Sequence, residues 1–570
     1  MNIIGIFMEG PNTGACLFQN GKLVAMVEEE RFTRTKGASE SIPTQSIAYC
    51  LRQGCIRLSD VAVVATGWDH SKYPEAMDRH MRSIPERGLD PLADVAERII
   101  HDKLSPAVFQ QALSVALRRM DPAAKPKIVG YAHHLCHAAS VHYMSGFEDS
   151  AILVLDGSGE ELSTTTWGAS GDQIEPLEQW TLPHSIGWFY AAVTEWLGFK
   201  AYSGEGKVMG LAAYGKPLPE VGRKLRTFLI PDDRAGYRLD PTFVYYGPRN
   251  YSRKFTDKLV DLLGQPRRPE SELSDYYIDV AYETQKLLEE VAATLARNLL
   301  AKTGRRNLCI SGGVAMNCKM NGVLSNLDGV ERVFINPASH DSGTAMGAAL
   351  LAMRDAGISP RQNVLEHAYW GPSFTDEQIE SALSHCGLRY TRSDDIALEV
   401  AQRLSRGQII GWFQGRSEFG ARALGARSIL ANPQIADMKT IINARVKYRE
   451  GFRPFAPSMI EEVKDKYMVD PKDSPFMILA YPFKEGFREQ FPSIVHVDGS
   501  VRPQTVSRRS SPLYWDMIKK FGDLTGHPIV LNTSFNVRGE PIVGTPLDAV
   551  RCFFSTGMDA LAIGSFLITK

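Results

Sequence analysis

Two stretches of this chain, roughly 150 residues apart, have the same order of strand, turn and strand. Residues 3–30 contain IIGIFMEG and ACLFQNGKLVAMVEEE, with Asn20-Gly21 as a hairpin turn. Residues 151–172 contain AILVLDGSGEE and STTTWGAS, which is again a strand, a turn of small and acidic residues, and a strand. Helical sequence separates the two stretches. The repeat therefore predicts two similar α/β lobes that close on a shared ligand.

A chain of 570 residues exceeds what one hydrophobic core usually serves, so we expect at least two domains. Proline, glycine and polar residues in RDAGISPRQNVLEHAYWGPS indicate a boundary at about residue 365. The predicted domains are residues 1–365 and residues 366–570. The second contains the strand candidates GQIIGWFQG, FMILAY and HPIVLN between arginine-bearing loops, which predicts a mixed α/β domain.

Charge and composition exclude several classes of protein. The net charge is -1, from 64 basic and 65 acidic residues, which argues against a general binder of nucleic acid or of membrane surfaces. The eight cysteines include no CxxC, and this usage is typical of reduced thiols. We find no targeting segment and no apolar stretch of bilayer length, so we expect a cytoplasmic monomer or homodimer.

Two histidines and two aspartates form the first candidate site. His133 and His137 stand at i and i+4 in HHLCHAAS, so on a helix they point from one face and can bind one metal ion. Asp156 ends an apolar run before Gly-Ser-Gly, and Asp341 precedes an Ala/Gly-rich helix, so both lie in segments typical of phosphate-binding turns. A single His pair is more often structural or incidental. The whole set favours a metal site and makes an enzyme the leading interpretation.

A Gly-Gly turn forms the second candidate element. In NLCISGGVAMNCKMNGVL, a strand leads through Gly312-Gly313 into a helix. Because glycine has no Cβ, the backbone there can approach a base, ribose or phosphate closely. The turn is therefore a candidate nucleotide-binding element.

The second domain contains a basic segment. Residues 416–453 include eight Lys or Arg and three Asp or Glu, in a chain that is otherwise balanced. A charge run is usually a solvated face, but the aromatic and proline residues of GFRPFAP favour burial and an anion site. Further along, Asn532, Thr533, Ser534 and Asn536 are expected directly after a strand, where they could bind a small carbonyl or phosphate. The alternative is a polar turn.

Nine motifs in order resemble the O-carbamoyltransferases of antibiotic and nodulation-factor biosynthesis over nearly the whole chain. They are VEEERFTRTKG, HHLCHAAS, LDGSGE, GEGKVMGLAAYG, SGGVAMNCKMNG, HDSGTAMGAAL, EFGARALGARSIL, GFRPFAPS and LNTSFNVRGEPIV. The resemblance implies a duplicated actin/Hsp70-like ATPase fold for the N-terminal domain, similar to tRNA threonylcarbamoyl-adenosine transferases. It implies a YrdC-like α/β fold for the C-terminal domain.

The resemblance also implies roles for individual residues. Iron(II) would be bound by His133, His137, Asp156 and Asp341, with phosphates of ATP or carbamoyl-adenylate completing its shell, and Mg²⁺ is a further candidate ion. The positions matching nucleotide-binding residues are Lys36, Asp156, Gly312, Gly313, Asn317 and Asp341. Those matching carbamoyl-phosphate residues are Arg422, Arg453, Arg502 and Asn532. Without the resemblance, Lys36 and Arg502 would be interpreted as exposed surface charge.

The implied reaction forms carbamoyl-adenylate from carbamoyl phosphate and ATP in the second domain. The carbamoyl group then passes to a hydroxyl of a natural product in the first domain. AMP makes the carbamoyl carbon a better electrophile, and an internal passage would protect the mixed anhydride from water. The acceptor is not identified by the sequence. Residues 68–125 and 230–275 are expected to shape its pocket.

The chain departs from the family pattern at several positions. Pro11 and Asn12 lie where the family often has a His-Asp-Ala segment, which puts an acceptor-binding role there in doubt. Ala421 and Ala426 replace the usual Pro and Asn. Asp240 is the candidate base for the acceptor proton, and its alternative is a turn residue before proline.

Three other functions compete with this interpretation. A kinase-like phosphotransferase of the same fold would leave the His pair and the basic segment without a role. A nucleotide-gated regulatory or chaperone-like module would bind ATP without needing carbamoyl phosphate. Carbamoylation of tRNA is disfavoured by the balanced charge.

Overall fold

The computed structural model describes residues 1–8, 10–39, 41–72, 105–245 and 253–570. The chain divides into two compact units. The first consists of Met1–Glu9, Ala15–Leu23 and Leu51–Val364. The second consists of Gly10–Gly14, Val24–Cys50 and Leu365–Lys570.

The division differs from the expected continuous domain of residues 1–365. A break does occur after Val364, but residues 24–50 belong with the C-terminal part of the chain. The physical reason is a set of non-local hydrogen bonds: the Trp370 carbonyl accepts from Met26 N and Tyr49 Oη, and the Gly420 carbonyl accepts from Arg31 Nη2. Lys36, expected in the first domain, therefore belongs to the second unit.

Two five-stranded sheets of the same topology lie largely in the first unit, and of their residues only Gly14 and residues 24–28 are assigned to the second. Their strands are β1 Asn2–Phe7, β2 Gly14–Gln19, β3 Lys22–Glu28, β4 Val63–Thr66 and β5 Lys127–Gly130, then β6 Asp149–Gly159, β7 Leu162–Ser170, β8 Gln173–Thr181, β11 Asn307–Ser311 and β12 Arg332–Ile335; a separate hairpin comprises β9 Leu229–Asp232 and β10 Gly236–Leu239. The orders are β3-β2-β1-β4-β5 and β8-β7-β6-β11-β12. The central strand β1 pairs in parallel with β4, and the central strand β6 pairs in parallel with β11. This shared order confirms the predicted duplication of an α/β lobe and agrees with the actin/Hsp70-like fold that the resemblance implies.

Helices connect and cover the strands of the first unit. They are α3 Pro106–Met120, α4 His133–His142, α5 Ile186–Trp196, α6 Glu205–Ala212, α7 Pro219–Phe228, α8 Asp257–Leu263, α9 Asp275–Thr303, α10 Cys318–Ser325 and α11 Ser342–Asp355. The helix α1 Glu30–Thr33 and all but the last three residues of α2 Thr44–Gln53 belong to the second unit. Helices α4 and α11 approach closely at Cys136 and Gly347. A Cβ on Gly347 would lie only 1.9 Å from the Cys136 carbonyl oxygen, so no other residue fits there. This glycine allows the two helices to bring their N-terminal ends together.

The second unit is built on an eight-stranded mixed sheet. Its strands are β13 Thr391–Arg392, β14 Ile410–Phe413, β15 Arg427–Ala431, β16 Ala456–Ile460, β19 Gln504–Val506, β20 Ile529–Ser534, β21 Ala560–Ile563 and β22 Phe566–Thr569, and a small sheet pairs β17 Tyr481–Pro482 with β18 Ser500–Val501. The order of the large sheet is β13-β22-β21-β14-β15-β20-β16-β19. This unit is α/β, as predicted.

Helices pack on the large sheet to form the core of the second unit. They are α12 Asp376–His385, α13 Ile396–Ser405, α14 Met438–Ile442, α15 Lys464–Tyr467, α16 Glu485–Arg488, α17 Pro512–Thr525 and α18 Pro546–Phe554. Apolar side chains of α13 and α17, such as Val400 and Phe521, are fully buried against Trp412 of β14. The core thus fixes the sheet whose strands β20, β16 and β19 lie next to the anion-site residues described below.

Several local predictions can be compared with this structure. The Asn20-Gly21 hairpin is confirmed, since both residues have positive φ between β2 and β3. The turn expected directly after Asp156 is wrong, because β6 continues to Gly159 through a register shift. FMILAY was expected as a strand, but only Tyr481 enters a two-residue strand, and Met477 has a φ of 57°. Asn532 lies within β20 and not after it.

The expected acceptor loops are only partly covered. Residues 73–104 and 246–252 lie outside the described residues. Among the residues that are described, no helix combines the length and apolarity needed to cross a bilayer.

Candidate metal centre and anion site

Two histidines and two aspartates of the first unit converge on one point. His133 and His137 lie one turn apart on α4, and both imidazoles are fully buried. Nε2 of His133 lies 3.1 Å from Nε2 of His137, and the two nitrogens lie 3.3 and 3.4 Å from Oδ2 of Asp156. Oδ1 of Asp341 lies 3.8 and 4.0 Å from them. The structure therefore brings together the four residues that the sequence singled out, with their donor atoms within 4.8 Å of one another.

The other ring nitrogens are held by the protein. His133 Nδ1 lies 2.9 Å from the Gly67 carbonyl oxygen, and His137 Nδ1 lies 3.0 Å from Ser311 Oγ. Because a carbonyl only accepts, the proton of neutral His133 lies on Nδ1, and its Nε2 lone pair faces the cluster. The Ser311 hydroxyl permits the same tautomer at His137. Such anchoring of the remote nitrogen is typical of metal-binding histidines.

Electrostatics in the cluster favour a positive charge. Burial opposes protonation of His133, but its contact with Asp156 and the charge of Asp341 outweigh burial and raise its pKa to about 9. Burial lowers the pKa of His137, and the neighbouring His133 contributes to the decrease. Although burial alone would raise the pKa of Asp156, the two imidazoles hold it well below its usual value. Two carboxylates thus stabilise a cation between them.

Asp156 also joins the cluster to the Gly-Gly turn. Its Oδ1 accepts hydrogen bonds from Gly157 N at 2.8 Å and Gly313 N at 3.1 Å, while Oδ2 faces the histidines. Gly312 has a φ of 93°, and a Cβ there would lie 2.1 Å from the Leu155 carbonyl oxygen. Only glycine fits this position. The candidate metal site and the candidate nucleotide turn therefore share one carboxylate.

Asn317 stabilises the helix that follows this turn. Its Oδ1 accepts from Met320 N at 3.0 Å and so caps α10. Its amide also exchanges hydrogen bonds with Gln285, at 2.9 and 3.1 Å. These contacts make Asn317 a determinant of the shape of the turn.

Cations of the second unit form a second cluster, in which Lys447 is buried, Arg449, Arg453 and Arg502 are partly exposed, and Lys36 is exposed. Burial lowers the pKa of Arg449 to about 9, and the charges of Arg453 and Arg502 add to this decrease. Burial also holds the pKa of Lys447 well below its usual value, with contributions from Arg449, Arg453 and Lys36. Neighbouring cations that repel one another suit the binding of a compact anion.

The loop that carries Arg422 is clamped by buried side chains. Gly420 N donates to Glu28 Oε1 at 2.5 Å, and the Gly420 carbonyl accepts from Arg31 Nη2 at 2.9 Å. Glu418 Oε1 accepts from the backbone of the following turn, including Leu424 N at 2.6 Å. The clamp fixes the backbone on the N-terminal side of Arg422.

The acidic residues of VEEERFTRTKG have separate positioning roles. Glu28 binds the Arg422 loop as described above, and the Glu29 carboxylate accepts from Ser46 N and Oγ, both at 2.7 Å. Glu30 Oε2 accepts from Gly37 N at 2.7 Å, next to Lys36. This segment therefore orders the backbone around two expected anion-binding residues.

Strand pairing brings the expected carbamoyl-phosphate residues together. Asn532 of β20 pairs with Ala456, the first residue of β16, and Arg453 lies just before that strand. Arg502 lies just before β19 and contributes to the lowered pKa of Arg453. Asn532 Nδ2 donates to the Ala423 carbonyl at 3.1 Å, next to Arg422.

The environment of Asp240 argues against its expected role as a general base. Its carboxylate accepts from Thr242 N at 2.9 Å and Thr242 Oγ1 at 2.6 Å, and it forms a 2.8 Å ion pair with Lys258. Burial opposes the shift, but Lys258 and Thr242 lower the pKa of Asp240. A carboxylate so stabilised is a weaker base. The alternative, a residue that begins the turn at Pro241, describes its contacts.

Three residues around the metal cluster were missed by the sequence analysis. Ser311 and Gly67 anchor the histidines, and the Glu160 carboxylate accepts from His133 N at 3.1 and 3.2 Å. Ser311 directly precedes the Gly-Gly turn and Glu160 ends LDGSGE, so their positions in motifs were available signals. Gly67 carried none, because its contribution is a backbone carbonyl.

Comparison with known proteins agrees with this arrangement. The family described as "Carbamoyltransferase N-terminus" matches residues 2–350, and that described as "Carbamoyltransferase C-terminus" matches residues 401–570. "Nodulation protein NolNO" of Sinorhizobium fredii is 37% identical over 98% of this chain and 80% of its own length. "Nodulation protein NolO" of Bradyrhizobium diazoefficiens is 40% identical over 77% of this chain and 78% of its own.

Solved structures are more distant. HypF of T. kodakarensis is 13% identical and covers 64% of this chain and 50% of that chain, with a TM-score of 0.32, which is too low to support an argument about fold or function. The assignment therefore depends on the sequence families, which match most of both units. On this evidence, the chain belongs to the carbamoyltransferase family.

Proposed function

We propose that this protein is an ATP-dependent O-carbamoyltransferase, which activates carbamoyl phosphate as carbamoyl-adenylate and transfers the carbamoyl group to a hydroxyl of a small natural product. The observation that carries the proposal is the cationic cluster of Lys447, Arg449, Arg453 and Arg502, in the same unit as the buried Asn532 amide. Arginines suit a phosphate, and a buried amide suits a carbamoyl group. Family membership supports the same activity.

The second unit would carry out activation. Water cleaves carbamoyl phosphate to carbamate and phosphate, and a carbamate oxygen then attacks the α-phosphorus of ATP. Pyrophosphate leaves, and carbamoyl-adenylate remains. Arg422, Arg453 and Arg502 would bind phosphate oxygens, while Lys36 in the same unit would bind the nucleotide. Guanidinium groups held in place around these oxygens stabilise the charge that develops on them.

The first unit would carry out transfer. The acceptor hydroxyl attacks the carbamoyl carbon, AMP leaves, and the hydroxyl proton passes to a base that we do not assign. Backbone N–H groups near Gly312 and Gly313 would bind phosphate oxygens of the adenylate. Asp156 orients this turn through its hydrogen bond to Gly313 N.

The donor set of the first unit fits a divalent cation, which we propose is iron(II), with Mg²⁺ as a further candidate. Two imidazoles and two carboxylates are ligands that iron accepts, and both remote imidazole nitrogens are anchored. His133, His137, Asp156 and Asp341 would hold the ion. When bound, it would supply Lewis-acid stabilisation of phosphate charge.

Pyrophosphate release tests the activation step without knowledge of the acceptor. We expect the purified protein to release pyrophosphate only when ATP and carbamoyl phosphate are both present. A panel of hydroxylated natural products, analysed by mass spectrometry, would then identify a carbamoylated acceptor.

Other outcomes would contradict the proposal. Carbamoyl-phosphate-independent hydrolysis of ATP to ADP, without pyrophosphate, would favour a nucleotide-gated module. Transfer of the γ-phosphate to an acceptor would favour a kinase-like enzyme. Either result would remove the role proposed for the cationic cluster.

A further inference from the structure

Three buried polar side chains form a network at one end of the large sheet of the second unit, on its last three strands. Asn532 lies on β20, Ser458 on β16 and Gln504 on β19, and each is at most 2% exposed. Asn532 Nδ2 donates to Ser458 Oγ at 3.0 Å and Gln504 Oε1 at 3.2 Å. Ser458 Oγ donates to Gln504 Oε1 at 2.7 Å. The network thus connects three adjacent strands.

Two backbone carbonyls determine how the amides are oriented. The Leu424 carbonyl faces Gln504 Nε2 at 2.7 Å, and the Ala423 carbonyl faces Asn532 Nδ2 at 3.1 Å. Because a carbonyl oxygen only accepts, the NH₂ group of each amide must point toward it. Gln504 Oε1 is consequently turned toward Asn532, where it accepts from Nδ2.

This orientation leaves the Asn532 oxygen as an unused acceptor. Asn532 Oδ1 is buried, and no residue in the described part of the chain donates a hydrogen bond to it. A buried acceptor without a donor is unfavourable. Arg422 is the neighbour of Ala423 in sequence, and Arg453 precedes the strand that pairs with Asn532. The free acceptor therefore belongs to a side chain that adjoins the two segments carrying these arginines.

We propose that Gln504 and Ser458 are positioning residues that fix Asn532 Oδ1 to accept a hydrogen bond from the carbamoyl NH₂ group, and so select carbamoyl phosphate over acetyl phosphate. This inference rests on the proposed function and adds the basis of its substrate selectivity. The two phosphates have the same shape, but acetyl phosphate carries a methyl group where carbamoyl phosphate has a donor. A methyl group would leave Oδ1 without a partner, which a site built around a polar contact discriminates against.

The test measures the dissociation constants of carbamoyl phosphate and acetyl phosphate by calorimetry, using the full-length protein without ATP. We expect wild-type protein to prefer carbamoyl phosphate by about tenfold or more. Gln504→Leu removes a side-chain acceptor that orients Asn532. It should raise the dissociation constant of carbamoyl phosphate about five- to tenfold and change that of acetyl phosphate less than about twofold.

Three further variants separate positioning from general damage. Gln504→Glu keeps an acceptor for Asn532 Nδ2 but loses the N–H group that donates to the Leu424 carbonyl. It should therefore weaken the binding of both ligands while it retains the preference. Ser458→Ala is a smaller change and should reduce the preference in the same direction. Thr505→Val is the matched control, because this side chain lies on the opposite face of β19 and accepts from Ser474 N at 2.8 Å. It should leave the preference unchanged.

The possible failures can be distinguished. Equal weakening of both phosphates in Gln504→Leu, or an unchanged preference in folded Gln504→Leu and Ser458→Ala, would overturn the positioning role alone. Absence of carbamoyl phosphate binding to the wild-type protein would overturn the proposed function, and this inference with it.

Discussion

Nε2 of His133 lies 3.1 Å from Nε2 of His137, and both nitrogens face the same carboxylate oxygen, Oδ2 of Asp156, at 3.3 and 3.4 Å. Imidazole nitrogens and carboxylate oxygens that converge in this way are donor types that a divalent first-row ion accepts. Removal of one of the two imidazoles therefore tests whether the set binds metal.

We predict that His137→Ala abolishes iron binding and carbamoyl transfer while the protein stays folded. The variant removes one of four converging ligands and leaves the helix backbone intact. Metal content, measured after reconstitution with iron(II), and circular dichroism would test this. His134→Ala is the matched control: His134 is buried on the same helix but bonds to Thr165 Oγ1. Iron content that is normal in folded His137→Ala would contradict the metal site.

Ser311→Ala should weaken iron binding about ten- to a hundredfold, because loss of a partner that orients a ligand has effects of this size. Ser311 Oγ lies 3.0 Å from His137 Nδ1, so the substitution acts on the proposed ligand set through His137. Competition with a chelator of known affinity would measure the change. An unaltered iron affinity would mean that the helix alone orients His137.

Arg453→Ala should raise the KM for carbamoyl phosphate much more than the KM for ATP. A hydrogen bond from a charged, partly exposed arginine to phosphate is worth about 1.5–3 kcal/mol, which corresponds to roughly ten- to a hundredfold. Arg445→Ala is a suitable control, because this half-exposed arginine pairs with Asp559 at 3.2 Å. Equal increases of both KM values in Arg453→Ala would contradict a role specific to carbamoyl phosphate.

Local chemistry was the part of this site that the sequence could predict. The spacing of His133 and His137 was sufficient to predict their common helix face, and the change from strand to helix identified the turn at Gly312. The side chain that anchors His137 comes from Ser311, 174 residues away, and no periodic pattern encodes such a contact.

The placement of residues 24–50 was not predictable from local pattern for the same reason. The contacts that assign this segment to the second unit join residues separated by more than 300 positions, such as Arg31 and Gly420 at a separation of 389. A hairpin pattern predicts β3 equally well in either unit. The unpaired oxygen of Asn532 was also not predictable from local pattern, because it depends on amide orientations that the distant carbonyls of Ala423 and Leu424 determine.

The lowered pKa of Lys447 should make the free energy of unfolding increase with pH. Burial and neighbouring cations lower its pKa from 10.5 in the folded protein, so unfolding takes up a proton between the lowered pKa and 10.5. The free energy of unfolding should rise with pH across that range, by up to about 1.4 kcal/mol per pH unit. Lys447→Met should lose this contribution. Denaturant titrations of both proteins at several pH values would measure the difference, and parallel curves would contradict it.

The second unit includes residues 24–50 as well as residues 365–570, which predicts which fragment of the chain can fold alone. Residues 365–570 expressed alone would lack Glu28 and Arg31, which bind both backbone groups of Gly420. They would also lack Arg34, whose guanidinium donates to the Ile542 and Pro541 carbonyls at 2.6 and 2.9 Å. Their removal breaks these charged hydrogen bonds, at a net cost of about 1.5–3 kcal/mol each. This is a large part of the stability of an ordinary domain.

We therefore expect residues 365–570 alone to be unstable, and a fusion of residues 24–50 to their N-terminus through a flexible linker to restore folding. Thermal denaturation and hydrogen exchange at Gly420 N would compare the two proteins. A fusion that carries Glu28→Gln and Arg31→Met is the matched control, since it keeps the segment but removes the clamp on Gly420. Its stability should lie between those of the other two. If the isolated fragment were as stable as the fusion, residues 24–50 would be an appendage to this unit and not part of its structure.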